Sequence, residues 1–159
     1  YMVTSYDVER WCGYKTVAFH YGHIALMSLG REATEIKDSI PNYMKYMQNM
    51  AAETPAFTIM DRGKLVLSFG IYPLWAGVAE GWMIPSNLIS GKTVALVRGA
   101  RNVFSNINTV MQLHRLQFMV RSSHVQAIRF AEVLQFKREA VLSRYGPGGD
   151  DYYMYTRFY

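Results

Sequence analysis

Apolar positions along this chain change period several times, and the changes mark the elements. From Ile24 hydrophobic residues recur at three- and four-residue steps, which predicts two helices, roughly His23 to Ser39 and Pro41 to Ala52. Gly30 and Pro41 punctuate this region, and Pro41, following Asp38-Ser39, suits the first turn of the second helix. Alternation then replaces the helical step. Pro55 to Asp61 reads as a strand, Arg62-Gly63 as a tight turn and Lys64 to Ile71 as the returning strand. In that second strand Leu65, Leu67, Phe69 and Ile71 alternate with Val66, Ser68 and Gly70. A glycine-bounded apolar run from Gly77 to Ile84 has the length of a buried strand. After Gly91 the helical step returns: Thr93, Val94, Leu96, Val97, Ala100, Val103 and Phe104 share one side of a helix continuing to about Leu113. Arg115 to Val120 predicts a strand, and His124 to Gln135 a short helix for which Ser122-Ser123 offers an N-cap. Phe136 to Tyr145 and Asp151 to Phe158 are two more strands around a Gly146-to-Asp150 turn. Tyr1 to Tyr21 has no clean period and fits either a strand or a short helix.

This order gives N-terminal helices, an antiparallel meander, a helix, a strand, a helix and a C-terminal hairpin. It predicts an α+β fold with a mixed α/β sheet, in one domain over residues 1–159. A chain of this length buries roughly 70% of the surface its unfolded form exposes. Half of the residues are hydrophobic, with twelve Tyr, eight Phe and three Trp, so the chain is globular rather than disordered. Its longest apolar stretches stop short of the ~20 residues of a membrane span, and no charged-then-apolar leader stands out, so a soluble, cytoplasmic protein is expected. Cys12 is the only cysteine, which excludes an internal disulfide and a cysteine-based metal cluster.

Charge adds a direction. The net charge is +5, and Lys92 to Arg144 carries nine Lys or Arg, among them Lys92, Arg98, Arg101, Arg115 and Arg121, with few acids. That half can steer an anionic ligand. No basic run interleaved with aromatics marks a nucleic-acid groove, and nucleic acid is not expected as a partner. The small and polar loop before the long helix, Ser90-Gly91-Lys92-Thr93, would present unpaired backbone N–H groups to a phosphate or pyrophosphate. Ser86 to Thr93 also approaches the nucleotide-binding G-x-x-x-x-G-K-T pattern, but Ser86 replaces its first glycine and no apolar strand ending in Asp follows to hold magnesium.

Chemistry has few candidates. Glu80 is the one acid in the central strand; shielded by Trp75 and Trp82 its pKa would rise, as suits a general base, and otherwise it is a solvent-facing carboxylate. His20, His23, His114 and His124 are scattered without metal-ligand spacing and read as structural. The stripe Ile40, Tyr43, Met44, Met47 and Met50 reads first as core packing and second as the adaptable wall of an acceptor pocket. Tyr145, Tyr152, Tyr153 and Tyr155 either supply an acid or tile the terminal hairpin.

The C-terminal third, LHRLQFMVRSSHVQAIRFAEVLQFKREAVLSRYGPGGDDYYMYTR, resembles the end of the GNAT acetyltransferase superfamily: Ala127-Ile128, Glu132-Val133-Leu134, Phe136, Arg138-Glu139 and the Asp150 to Tyr155 strand stand in the matching places. The element order from about Ile24 onward is that of a GNAT-like fold. More narrowly, PLWAGVAEGWMI with LHRLQ and RYGPGGDDYY is similar to short GNAT-like proteins of tailed bacteriophages and prophages, some of them virion or internal-core components. The resemblance implies a splayed strand pair and acetyl transfer from acetyl-CoA to an amine by direct attack. Glu80 would be the base, a backbone N–H from Trp82, Met83 or Ile84 would polarise the thioester carbonyl, and Ser90, Gly91, Lys92 and Thr93 would take the pyrophosphate. Of the family's loop pattern only Gly91 matches; Thr93 replaces a glycine or alanine and Leu88 a polar residue. His124 stands for the usual asparagine, Gln135 for a glycine and Ala131 for the tyrosine that often acts as acid. The other function implied is a GNAT-fold phage component without transfer chemistry, binding structural proteins in host cytoplasm or virion, for which exposed Tyr and Met surface would suit assembly into an oligomer.

Overall fold

The computed structural model describes residues 10–11, 14–52 and 54–159, with side chains from Tyr14 onward. Tyr1 to Glu9 and Cys12 lie outside the described residues, and with them most of the undecided N-terminal segment. Among the described residues eight strands form one sheet: β1 (Arg10–Trp11), β2 (Tyr14–Ala18), β3 (Ala56–Asp61), β4 (Lys64–Trp75), β5 (Val78–Pro85), β6 (Arg115–Arg121), β7 (Lys137–Leu142) and β8 (Tyr152–Phe158). Their spatial order is β1-β2-β3-β4-β5-β6-β8-β7. The helices are α1 (Gly22–Leu26), α2 (Arg31–Ser39), α3 (Tyr43–Ala51), α4 (Thr93–Met111) and α5 (Val125–Val133). The α+β class, the meander β3-β4-β5 and the terminal hairpin β7-β8 are as the periodicity predicts.

The sheet is the middle layer of three. On one face Leu96, Ala100, Val103, Phe104 and Ile107 of α4 and Ala131 of α5 share a buried cluster with Ile59, Leu67, Phe69, Ile71, Ala79 and Leu116 of the strands. On the other face Ile24, Met27, Tyr43 and Met47 close over Ile84, with Trp82 packed against them. The hydroxyls of Thr58 and Ser68, both fully buried, bond at 2.8 Å, and Thr58 also bonds His23 Nδ1 at 2.8 Å. The His20 N–H donates to the same nitrogen at 3.2 Å, so Nδ1 accepts and the Thr58 hydroxyl donates to it. His23 therefore fastens α1 to the sheet, the structural role expected of it, and burial holds its pKa below the ordinary value.

Four expectations change. The single helix from His23 to Ser39 is two, because Leu29 leaves the helical path to bridge Ser86 next to Gly30. Pro41 precedes rather than enters the next helix: Asn42 adopts a left-handed backbone (φ 51°) ahead of Tyr43. The second meander strand does not stop at Ile71 but runs to Trp75, pairing Tyr72 with Glu80 and Pro73 with Ala79 before an irregularity. Proline reads as a breaker from sequence, yet it is tolerated next to a bulge. Ser122-Ser123 do not cap α5: His124 is the N-cap and makes no side-chain capping bond. In the segment left open, Tyr14 to Ala18 is a strand on β3, which adds an outer pair to the sheet.

Candidate functional site

β5 and β6 run parallel but stay together for only three pairs, Val78 with Arg115, Ala79 with Leu116 and Glu80 with Gln117. β5 then continues to Pro85 along β4, while β6 continues to Arg121 along β8. The sheet is thus split by a V whose apex is the Glu80–Gln117 pair. Gly77, with φ 82°, sets the pairing phase: its carbonyl receives the N–H groups of His114 at 2.8 Å and Arg115 at 3.1 Å. Strand alternation from Gly77 directs the backbone groups of Ala79, Gly81 and Met83 toward β6. On the other side the Ser86 N–H bonds Val66 O at 2.9 Å, so Ile84 and Trp82 direct theirs to β4. Of the three amides expected to face the reacting carbonyl, only that of Met83 opens into the V; those of Trp82 and Ile84 belong to the β4 ladder.

The Glu80 side chain lies on the face covered by α1 to α3. Burial raises its pKa, opposed by a hydrogen bond from Gln117. Trp75 is 67% exposed and shields nothing, so burial comes from other neighbours, Trp82 among the residues on the same face. Trp82 lies over Gly70, where a methyl group would sit 2.5 Å from its ring, and meets Phe19 edge-on at 5.1 Å. Tyr145, in the turn between β7 and β8, approaches from outside. Its phenol pKa is raised by burial, then by the charge of Glu80 and by Tyr46 and Tyr152. The rings of Tyr145 and Tyr152 are 5.2 Å apart. The α3 stripe divides: Tyr43 and Met47 are core, with Tyr43 pushed up to about 12 by burial, whereas Met44 and Met50 are half-buried; Tyr46, off the stripe, is exposed. Arg121, near the end of β6, ties this wall together through Asp150 of the hairpin and, at 3.2 Å, Glu35 of α2.

Because the two arms of the V are parallel, their C-terminal ends open on the same side. Glu80 and Pro85 are five residues apart on one strand, roughly 16 Å. Beyond Pro85, Ser86 is buried and its hydroxyl accepts from Leu88 N–H at 3.2 Å, folding Asn87–Ile89 into a 3-10 turn rather than a phosphate-wrapping loop. Ser90 is exposed, Gly91 has φ 78° with open space where a side chain would be, and Thr93 starts α4. The first helical bond is Leu96 N–H to Lys92 O at 3.0 Å, which leaves the amides of Thr93, Val94 and Ala95 ahead of the helix. The Lys92 side chain turns to the sheet: Nζ lies 3.8 Å from Asp61 at the end of β3. His124 stands at the start of α5, off the other arm. Ala131 is fully buried against the sheet, so no acid reaches the V from that position.

Sequence reasoning missed Gln117 and Tyr46. Gln117 carried a signal, a lone amide inside the apolar run of β6, buried to 9% exposure. Among the described residues no group of His, Cys, Asp and Glu is arranged to hold a metal ion, and no helix is long and apolar enough to cross a membrane.

No protein-family model matches the chain, and neither does any characterised protein sequence. Solved structures do. A GNAT-family acetyltransferase from Bacillus anthracis matches over 91% of this chain and 94% of its own, with TM-score 0.66 and 16% identity. RimL, a ribosomal-protein N-acetyltransferase solved in complex with coenzyme A, matches over 91% and 93%, with TM-score 0.69 and 11% identity. A spermidine N-acetyltransferase chimera from Vibrio cholerae and hSSAT matches over 91% and 95%, with TM-score 0.70 and 15% identity. At these identities the likeness is one of fold: the chain has the three-layer GNAT architecture along almost its whole length.

Proposed function

We propose that this protein is an N-acyltransferase that takes an acetyl group from acetyl-CoA and passes it to an amine. The observation that carries the reading is the V, with an uncapped helix start at its open end and a half-buried carboxylate at its apex. The residues present fit such a donor: the Met83 N–H faces the gap, Gly91 leaves room for close approach, and the amides of Thr93 to Ala95 suit the pyrophosphate. Lys92 adds charge there, and Ser90 and His124 border the opening. Bound acetyl-CoA would supply an activated thioester carbonyl. Glu80, ionised, would remove a proton from the incoming ammonium on the tyrosine-lined side, and the Met83 N–H would donate to the carbonyl oxygen as negative charge gathers on it. The amine nitrogen would bond to the carbonyl carbon as the C–S bond breaks, and CoA would leave as the thiolate, which takes up the nitrogen's surplus proton.

Titration calorimetry with acetyl-CoA and with free CoA at low salt tests the donor site. Micromolar affinity, about −8 kcal/mol, is expected; no heat at millimolar ligand would overturn the reading. In amine-acceptor assays Glu80→Gln should lower kcat by ~10²-fold or more with donor affinity kept. A second reading, a phage virion or assembly protein without transfer chemistry, draws on the buried methyl of Ala131 and on Thr93 in place of a smaller residue. It requires that neither acetyl-CoA nor CoA binds.

A further inference from the structure

Gln117 could point either end of its amide at Glu80, and its neighbours decide which. Arg115, two residues earlier on the same face of β6, donates Nε–H to Gln117 Oε1 at 2.8 Å. A guanidinium has no acceptor, so the carbonyl end of Gln117 must face it and the NH₂ end is left for Glu80. Arg115 is itself held from the far side: Nη1 and Nη2 meet the Glu139 carboxylate at 3.0 and 2.6 Å, a bidentate pair, and Nη2 also lies 3.3 Å from Met154 Sδ. Thr156, buried between them on β8, hydrogen-bonds the same carboxylate. Glu139 is the extra residue of an irregularity in β7, where pairing skips from Arg138–Tyr155 to Ala140–Met154. Such a bulge re-aims a side chain, here onto Arg115. The contacts thus run from the sheet edge through β7, β8 and β6 to β5.

We propose that Glu139, Arg115 and Gln117 form a positioning relay that fixes the Glu80 carboxylate at the apex of the V by presenting it with an oriented amide donor. The inference rests on the reading of Glu80 as base, and none of the three relay residues touches the reacting atoms. Other groups facing Glu80 are Tyr72, its partner on β4, and Tyr145 from the β7-β8 turn. Neither is touched by the substitutions that follow.

The test follows Glu80 itself by side-chain carboxyl NMR titration in wild type, Gln117→Leu and Arg115→Lys, with the acid limb of kcat/KM measured in parallel. Gln117→Leu keeps side-chain volume and removes the donor. Arg115→Lys keeps a cation for Glu139 but lacks the Nε–H that orients Gln117, and it keeps the test open should the leucine variant fail to fold. In both, the Glu80 midpoint is expected to move to higher pH, more in Gln117→Leu, because a donor to the charged form is lost or misdirected. The acid limb should follow, with kcat/KM below the wild-type midpoint down on the order of tenfold for Gln117→Leu and the high-pH plateau kept. An unmoved Glu80 midpoint in both variants overturns the relay. A moved midpoint with an unmoved acid limb upholds the relay and instead removes Glu80 as base.

Discussion

At the scale of single residues, the donor end of the site turns on one shared cation. In the proposed donor site Lys92 would meet the incoming pyrophosphate, yet its Nζ sits 3.8 Å from Asp61. Both are partly exposed, so the pair itself stabilises the fold by less than about 1 kcal/mol. Asp61→Asn should therefore tighten acetyl-CoA binding a few-fold with almost no change in stability, and Lys92→Ala should weaken it; calorimetry at two salt concentrations checks both, since the effect should shrink as salt rises. Equal affinity in all three proteins would place the pyrophosphate elsewhere. Residues of this kind differ in how far they can be read from sequence. Glu80 is legible because an acid inside an apolar strand is conspicuous. Gln117, Arg115 and Glu139 are not legible as a set: Glu139 is 24 residues from Arg115, and only the register of three strands and one bulge joins them.

At the scale of elements, the meander was legible because alternation and turn residues agree, and α4 because its apolar side repeats over nineteen residues. The breaks were not. Leu29 and Pro73 leave or keep regular structure in response to partners on β5 and its following loop, and no local pattern announces that. The same dependence makes Gly70 informative. A methyl group there would lie 2.5 Å from the Trp82 ring, which Phe19 and the α1–α3 cluster hold from other sides. Gly70→Ala is expected to cost about 1–3 kcal/mol through displaced packing, read from urea unfolding, with an altered tryptophan emission in the folded state. A silent substitution would mean that Trp82 is free to move, and with it the packing beside Glu80.

At the scale of the whole molecule, the half-buried Glu80 carboxylate sets the proposed catalysis against stability. Glu80 has its pKa raised above 4.5 by folding, so the folded protein holds that proton more tightly than the unfolded chain. The contribution of this group is complete below about 4.5 and is lost as pH rises through the folded value. Glu80→Gln, which stays neutral, should then melt higher than wild type at pH 7 and close to it at pH 4. Melting curves at the two pH values check this, and a lower melting temperature at pH 7 would contradict it. The irregularity in β7 reaches further still. β7 is one of the two outer strands of the sheet among the described residues, and a flat outer strand is a template on which a second chain can add by hydrogen bonding. A bulge that lifts one residue out of register, flanked by the exposed charges of Lys137 and Arg138, spoils that template. One extra residue therefore serves two ends: it turns a carboxylate inward toward the apex of the V, and it guards the sheet against growing into a fibre.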